Sequence, residues 1–230
     1  MMISGLANLT LLDFPGKTAC TVFTGGCNLR CPFCHNAPLV TEDFAALEIG
    51  EEKVFDLLKK RKGILDGVCI TGGEPLLQKD IADFISRIKD MGFAVKLDTN
   101  GTFPQRLEEL IGKGLLDYVA MDIKNSREFY AVTVGIENFD TSGVEKSVSL
   151  LLENRVPYEF RTTVINEFHG DRQMKDIAQW IEGAERYYLQ CFKDSGNLIG
   201  DGMNPVSKPD TERFLGIVKP FVKNAEIRGM

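Results

Sequence analysis

The sequence predicts a parallel α/β fold, and three observations predict it. Six strand-length apolar runs alternate with segments of helical periodicity. Polar and glycine-rich motifs recur just after those runs, at the strand ends where β/α proteins keep their working residues. With 230 residues, 43% of them hydrophobic and 26% charged, the chain has the makeup of one globular domain spanning 1–230 with a large core. Periodicity by itself leaves a partial barrel and a doubly wound sheet both open.

The first strand is predicted over 18–24, where Ala19, Cys20, Val22 and Phe23 stand among threonines. Residues 38–49 lack clean periodicity and read as a covering loop. A helix over 51–62 places Val54, Phe55, Leu57 and Leu58 at helical spacing, and Lys59-Lys60-Arg61-Lys62 closes it where cations suit the dipole. Strand 67–71 ends in Gly72-Gly73-Glu74-Pro75, and helix 81–91 follows with Ile81, Phe84, Ile85 and Ile88. Strand 93–97 ends in Asp98-Thr99-Asn100-Gly101, and the helix around 107–111 stops at Gly112 or Gly114. Strand 118–121 ends in Asp122-Ile123-Lys124. Then come helix 143–154, strand 158–165, helix 174–181 with Asp171 as its N-cap, strand 187–192 and helix 211–222. Lys219-Pro220 marks an end or a kink in the last helix. There is no internal repeat, low-complexity tract or linker.

Composition excludes several function classes. A net charge of −6 without a basic stripe argues against a nucleic-acid partner. The longest apolar runs are strand-length, which predicts no membrane span, and residues 1–12 lack the pattern of a secretory signal. Six cysteines, three of them in one loop, argue for a reducing compartment, the cytoplasm, over a disulfide scaffold.

The chemistry concentrates in Cys27-Asn28-Leu29-Arg30-Cys31-Pro32-Phe33-Cys34, a C-x3-C-x2-C spacing behind Gly25-Gly26. Thiolates so spaced can converge on one inorganic centre, and three ligands on a four-iron cluster leave one iron open for chemistry. Two alternatives stand beside this. One is structural zinc with His35 or a distant cysteine as fourth ligand, although no second cysteine pair exists. The other is a set of small buried hydrophobes, which a polar, glycine-rich loop does not favour. Cys20, Cys69 and Cys191 read as buried thiols.

At these residues the sequence resembles the radical S-adenosylmethionine (radical SAM) enzymes. Phe33 before the third cysteine, the Cys34-His35-Asn36 run and the upstream Leu12-Asp13-Phe14-Pro15-Gly16 segment resemble the glycyl-radical-enzyme activases. Among them the similarity is greatest to activators of anaerobic ribonucleoside-triphosphate reductase, with pyruvate formate-lyase activases as close relatives. The resemblance runs from about Leu9 to about Phe192. It implies an open partial (β/α)6 barrel, with Cys27, Cys31 and Cys34 holding a [4Fe–4S] cluster that cleaves S-adenosylmethionine to methionine and a 5′-deoxyadenosyl radical. It also implies two protein partners: a glycyl-radical enzyme, and an electron donor of the flavodoxin or ferredoxin type.

Residue by residue, the resemblance implies that Phe33 borders the cofactor and that Gly72, Gly73 and Glu74 receive its amino group. Asp98, Thr99 and Asn100 form the next strand end. Asp98 and Asp122 become candidate ligands of a monovalent cation, with Lys124 pairing the cofactor carboxylate. An arginine in an apolar strand needs a partner, so Arg161 takes either a neighbouring carboxylate or the cofactor. His35 reads as a hydrogen-bonding neighbour of the cluster. Formate-lyase activases carry a histidine after the sixth strand, where this chain reads Gln190-Cys191-Phe192-Lys193. A radical enzyme on a small molecule, such as a 7-carboxy-7-deazaguanine synthase, is the nearest rival. A non-catalytic zinc or iron–sulfur module is the rival from another class.

Overall fold

The computed structural model describes residues 1–41, 48–194 and 196–230. β1 (Ile3–Thr10) runs antiparallel to β2 (Ala19–Thr24). From β2 onward the pattern is strand and helix in alternation. α1 (Pro38–Thr41) and α2 (Glu51–Lys60) lead to β3 (Gly67–Gly72), and α3 (Ile81–Asp90) leads to β4 (Ala94–Thr99). α4 (Pro104–Gly112) leads to β5 (Tyr118–Asp122). α5 (Tyr130–Val134) and α6 (Ser142–Leu152) lead to β6 (Tyr158–Val164). α7 (Asp171–Trp180) leads to β7 (Tyr187–Cys191), and α8 (Lys208–Val218) to β8 (Ala225–Arg228). β2, β3 and β4 pair in parallel, as do β6, β7 and β8. The chain is an open, parallel-dominated α/β sheet, as its sequence pattern predicts.

The residues group into two compact units. One holds Met1–Asn28, Asn36–Thr99 and Gln105–Val119, and the other Leu29–His35, Asn100–Pro104 and Ala120–Met230. In the first unit, α2 turns Val54, Phe55 and Leu58 inward and α3 turns Ile81, Phe84, Ile85 and Ile88 inward. Each such fully buried side chain contributes about 1.5–3 kcal/mol. The Phe55 and Phe84 rings meet edge to face at 5.4 Å. Phe14 of the Leu12–Gly16 segment is buried with Ala19 and Tyr118. A side chain at Gly67 would press on its ring, so Gly67 makes room for Phe14. The segment shared with the activases is therefore partly a packing device.

In the second unit, Tyr158, Phe160, Thr162 and Val164 of β6 are buried, and Arg161 and Thr163 between them are half-buried. α7 buries Met174, Ile177, Ala178 and Trp180. Tyr130 of α5 stacks on Phe139 at 5.5 Å and meets the edge of Trp180 at 6.1 Å. β8 is pinned by Arg228. Its guanidinium lies 3.2 Å from the Tyr188 ring centre and forks onto Glu159 at 2.7 and 3.0 Å.

Several expectations change. Strands β1 and β8 join the six predicted, and β1 is antiparallel. β1 is half-exposed through most of its length and shows no clean alternation, and β8 alternates over only four residues, the short limit of a strand signal. The loop expected over 38–49 contains α1, and its residues 42–47 lie outside the described ones. Gly170, not Asp171, occupies the N-cap of α7. Its backbone N–H donates to Gln173 Oε1, and Asp171 opens the helix and pairs with Arg213. α8 ends before Lys219-Pro220. Of the cysteines read as buried thiols, Cys20 and Cys69 are buried and Cys191 is half-buried.

Arg228→Ala removes the fork from a carboxylate that is 1% exposed. A fully buried pair broken this way loses roughly 3–5 kcal/mol, but Arg228 is 37% exposed and water reaches its side. The expected loss is about 2 kcal/mol, read as a lower urea midpoint at unchanged slope. A midpoint equal to wild type would mean that β8 is held by other contacts.

Candidate active site

The first unit brings the two glycine pairs together. Glu74 N–H donates to the Gly26 carbonyl at 2.8 Å, and Gly73 N–H to the Thr24 carbonyl at 2.9 Å. A Cβ on Gly73 would overlap the Gly26 carbonyl oxygen. Gly72 has φ +114, and a Cβ there would run into the Thr24 backbone. Only glycine allows this approach. Asn36 Nδ2 donates to the Gly72 carbonyl at 2.8 Å, so the Asn of Cys34-His35-Asn36 is bolted to Gly72-Gly73-Glu74.

Glu74 is fully buried. Its Oε1 accepts from Leu76 N–H at 3.0 Å and from Thr99 Oγ1 at 2.8 Å, capping a short 3-10 turn at Pro75–Leu77. Two predicted site residues thus meet, Glu74 and Thr99. Asp98 pairs with the ammonium of Lys96, which is 2% exposed, and lies 3.8 Å from the Cys69 thiol. Sequence reasoning passed over Lys96. A lysine between Val95 and Leu97 in an apolar strand was the available signal, the same one that flags Arg161.

The second unit holds Cys31, Phe33 and Cys34. Cys31 is buried, whereas Cys34, and Cys27 in the first unit, are half-buried. This polar, glycine-rich loop is thus partly covered. Its backbone is tied at Arg30 N–H to the Val134 carbonyl (2.9 Å) and at Cys34 N–H to the Cys31 carbonyl (3.1 Å). Gly135, at φ +66, leaves space for the Arg30 carbonyl. Phe33 is buried against Phe168, ring centres 5.9 Å apart. His35 Nε2 lies 2.6 Å from the Lys193 carbonyl and its ring stacks on Phe192. Asn100 is buried and takes Thr102 N–H and Oγ1, closing its own turn.

At the end of β5 one carboxylate serves two cations. Asp122 Oδ1 accepts from Arg161 Nε and Oδ2 from Lys124 Nζ, both at 2.9 Å. Of the two partners left open for Arg161, the carboxylate is present. Burial works against the Asp122 charge, but Arg161 and then Lys124 outweigh it and hold its carboxyl well below the usual range. Burial likewise opposes the Lys124 charge, and Asp122 followed by Cys31 pushes its ammonium well above the lysine range. Asp98 and Asp122, the expected cation ligands, each have a basic partner of their own.

Residues 123–125 are held mostly by side chains that sequence reasoning did not place there. Thr162 Oγ1 donates to the Ile123 carbonyl (2.7 Å) and accepts from Tyr187 OH. Lys124 N–H donates to Tyr130 OH (3.3 Å), and Asn125 Nδ2 donates to Thr133 Oγ1 and to the Phe168 carbonyl. His169 Nδ1 accepts from Ile165 N–H at 3.1 Å, which leaves the ring proton on Nε2, 3.0 Å from the Lys124 carbonyl. Burial drives the His169 pKa down to about 4.

The three thiols of Cys27, Cys31 and Cys34 on one loop suit a thiolate-held iron–sulfur cluster. Comparison with known proteins agrees. The radical SAM superfamily pattern matches residues 21–181. A Methanocaldococcus jannaschii protein named for glycyl-radical enzyme activation is 34% identical over 99% of this chain and 95% of its own. The pyruvate formate-lyase 1-activating enzyme of Escherichia coli K12 is 26% identical over 91% and 92%.

Among solved structures, a domain of a Bacteroides vulgatus pyruvate-formate lyase-activating enzyme aligns with TM-score 0.58 at 20% identity, covering 71% of this chain and 99% of that one. Streptococcus suis SuiB bound to S-adenosylmethionine aligns with TM-score 0.68 at 14% identity, covering 88% and 48%. These two share the fold.

Between about pH 6.5 and pH 4 the unfolded chain binds a proton at His169 that the folded chain does not. Stability therefore falls as pH is lowered through that window, by up to about 1.4 kcal/mol per pH unit from this group. Urea unfolding at about pH 7 and pH 5 should show a smaller loss in His169→Gln than in wild type. Equal losses would place the titration elsewhere.

A sheet of this topology, the three-cysteine loop and the match over 21–181 lead to one conclusion: the chain belongs to the radical SAM superfamily, with the glycyl-radical-enzyme activating enzymes, whose cofactors are a [4Fe–4S] cluster and S-adenosylmethionine.

Proposed function

We propose that the chain generates a glycyl radical on a partner enzyme, with anaerobic ribonucleoside-triphosphate reductase first and pyruvate formate-lyase second. Cys27, Cys31 and Cys34 hold the cluster. The observation that carries this reading is the C-x3-C-x2-C loop in a chain that is 34% identical, over 99% of its length, to a protein named for glycyl-radical enzyme activation. When bound, the cluster and S-adenosylmethionine together supply the radical chemistry that removes a hydrogen atom from a glycine Cα.

The chain's own residues bind and orient. Lys124 offers its ammonium to the cofactor carboxylate while Asp122 keeps it charged and Arg161 shares the carboxylate load. Gly72, Gly73 and Glu74 present backbone and carboxyl oxygens to an amino group, with Thr99 fixing the Glu74 carboxyl. Asp98 and Asn100 border the same strand end. Phe33 shields the cysteine loop from water. Asp98 and Asp122 are the proposed ligands of a monovalent cation, and each also pairs with a basic side chain, Asp98 with Lys96 and Asp122 with Lys124 and Arg161. The cytoplasm is the proposed compartment and a flavodoxin or ferredoxin the proposed donor. No helix of the described residues is long and apolar enough to cross a membrane. The reductase is ranked first because Lys193 stands where formate-lyase activases carry histidine.

Lys124→Ala should weaken S-adenosylmethionine binding about tenfold or more and leave iron content unchanged, as for loss of one charge-assisted bond. Calorimetric titration of the reconstituted protein checks this, and unchanged affinity would confine Lys124 to its pair with Asp122.

Anaerobic incubation with each candidate partner, S-adenosylmethionine and a reductant, followed by electron paramagnetic resonance, tests the function. A glycyl doublet is expected on the reductase and none with Cys31→Ala, whose iron content should also collapse. A doublet on the formate-lyase alone would reverse the ranking. Cofactor cleavage without a protein radical on either would move the chain to a small-molecule substrate.

A further inference from the structure

The Phe168-His169 pair belongs to no helix or strand, yet its two side chains reach two different parts of the site. It lies in a turn just past β6, closed by Phe168 N–H and His169 N–H on the Ile165 carbonyl at 3.2 and 2.9 Å. One residue packs on Phe33, between the second and third cysteines. The next donates to the carbonyl of Lys124. The Phe168 carbonyl itself takes Asn125 Nδ2 at 3.0 Å. Three contacts from two adjacent residues thus land on positions 33, 124 and 125.

β5 stops at Asp122, so the backbone beyond it leaves the sheet ladder. Ile123 N–H still reaches the Arg161 carbonyl, but both backbone groups of Lys124 are held by side chains, Tyr130 OH and His169 Nε2. Rotating the peptide after Lys124 would break the His169 bond, so the ring fixes the backbone from which the Lys124 side chain leaves. The ring is 5% exposed and has one proton to give, and its other nitrogen is occupied by Ile165 N–H. The tautomer is therefore set by Ile165, and the single donor is spent on Lys124.

We propose that Phe168-His169 is a positioning element: His169 orients the Lys124 ammonium and Phe168 braces the cysteine loop, so that both face one ligand in a fixed relation. The pair acts through Lys124 and Phe33. The inference rests on Lys124 as the partner of the S-adenosylmethionine carboxylate.

The test is calorimetric titration of anaerobically reconstituted protein with S-adenosylmethionine, in a cycle of His169→Ala, Lys124→Ala and the double variant. His169→Ala should lose about tenfold in affinity on the wild-type background and less than about twofold on the Lys124→Ala background, with iron content unchanged. His169→Gln keeps a donor and an acceptor. It should bind within about threefold of wild type, and it serves alone if the alanine variant does not fold. Phe168→Ala should release iron to a chelator several-fold faster, while His169→Gln releases it at the wild-type rate. Additive losses in the double variant, a tenfold loss in His169→Gln, or an unchanged release rate in Phe168→Ala would each overturn the proposal. Wild-type affinity in Lys124→Ala would remove the carboxylate reading, and this proposal with it. Wild-type affinity in His169→Ala beside a weakened Lys124→Ala would overturn the positioning role alone.

Discussion

The second unit depends on one carboxylate shared by two cations at the end of β5. Taking Asp122, Lys124 and Arg161 out of water costs several kcal/mol per ion, and mutual attraction offsets this only when geometry is good and hydrogen bonds are complete. Both Asp122 oxygens accept at 2.9 Å, one from each cation. Two cations on one carboxylate leave one positive charge in surplus, so the three side chains are stable only as a set.

That arrangement explains the density of buried polar groups around residues 123–125. Tyr130, Asn125, Thr133, Thr162, His169 and Tyr187 are all nearly or fully buried, and each donates or accepts there. Past the end of the sheet the backbone loses its ladder partners, and an unpaired buried carbonyl costs about 1–3 kcal/mol. Side chains from α5, β6 and the turn after β6 supply the missing bonds, and Tyr187 of β7 supports one of them through Thr162. The strand end is rigid because its own backbone polar groups are paired by elements that are themselves packed.

The first unit solves a different problem, close approach of backbone to backbone. Gly26, Gly72 and Gly73 bring the cysteine loop's leading edge against the end of β3 with no room for a Cβ. Asn36 then ties the chain beyond the third cysteine to the Gly72 carbonyl. Cys34-His35-Asn36 and Gly72-Gly73-Glu74 look like separate motifs in one dimension. In space they are joined by a single hydrogen bond. Glu74 is also a cap of the Pro75–Leu77 turn, so its carboxyl is pre-oriented before any ligand arrives.

Much was legible along the chain because it is local or strictly patterned. Six of the eight strands, the main amphipathic helices and the three-cysteine loop follow from alternation, period and spacing, which neighbouring residues determine together. The glycine motifs were legible for the same reason, since positive φ and close approach restrict the residue type at a single position. β1 and β8 were not legible, because what makes them strands is pairing with β2 and β7 more than the short patterns of their own. Nor were Tyr130, Phe168 and His169. Each looks ordinary among its neighbours and acquires a role only from a partner distant in sequence, as His169 does from Lys124 across 45 positions. The sequence by itself determined the fold class, the three-cysteine loop and the family. Only tertiary structure decided which cation each carboxylate keeps and what holds the lysine in place, because those depend on burial and on distances that no spacing along the chain encodes.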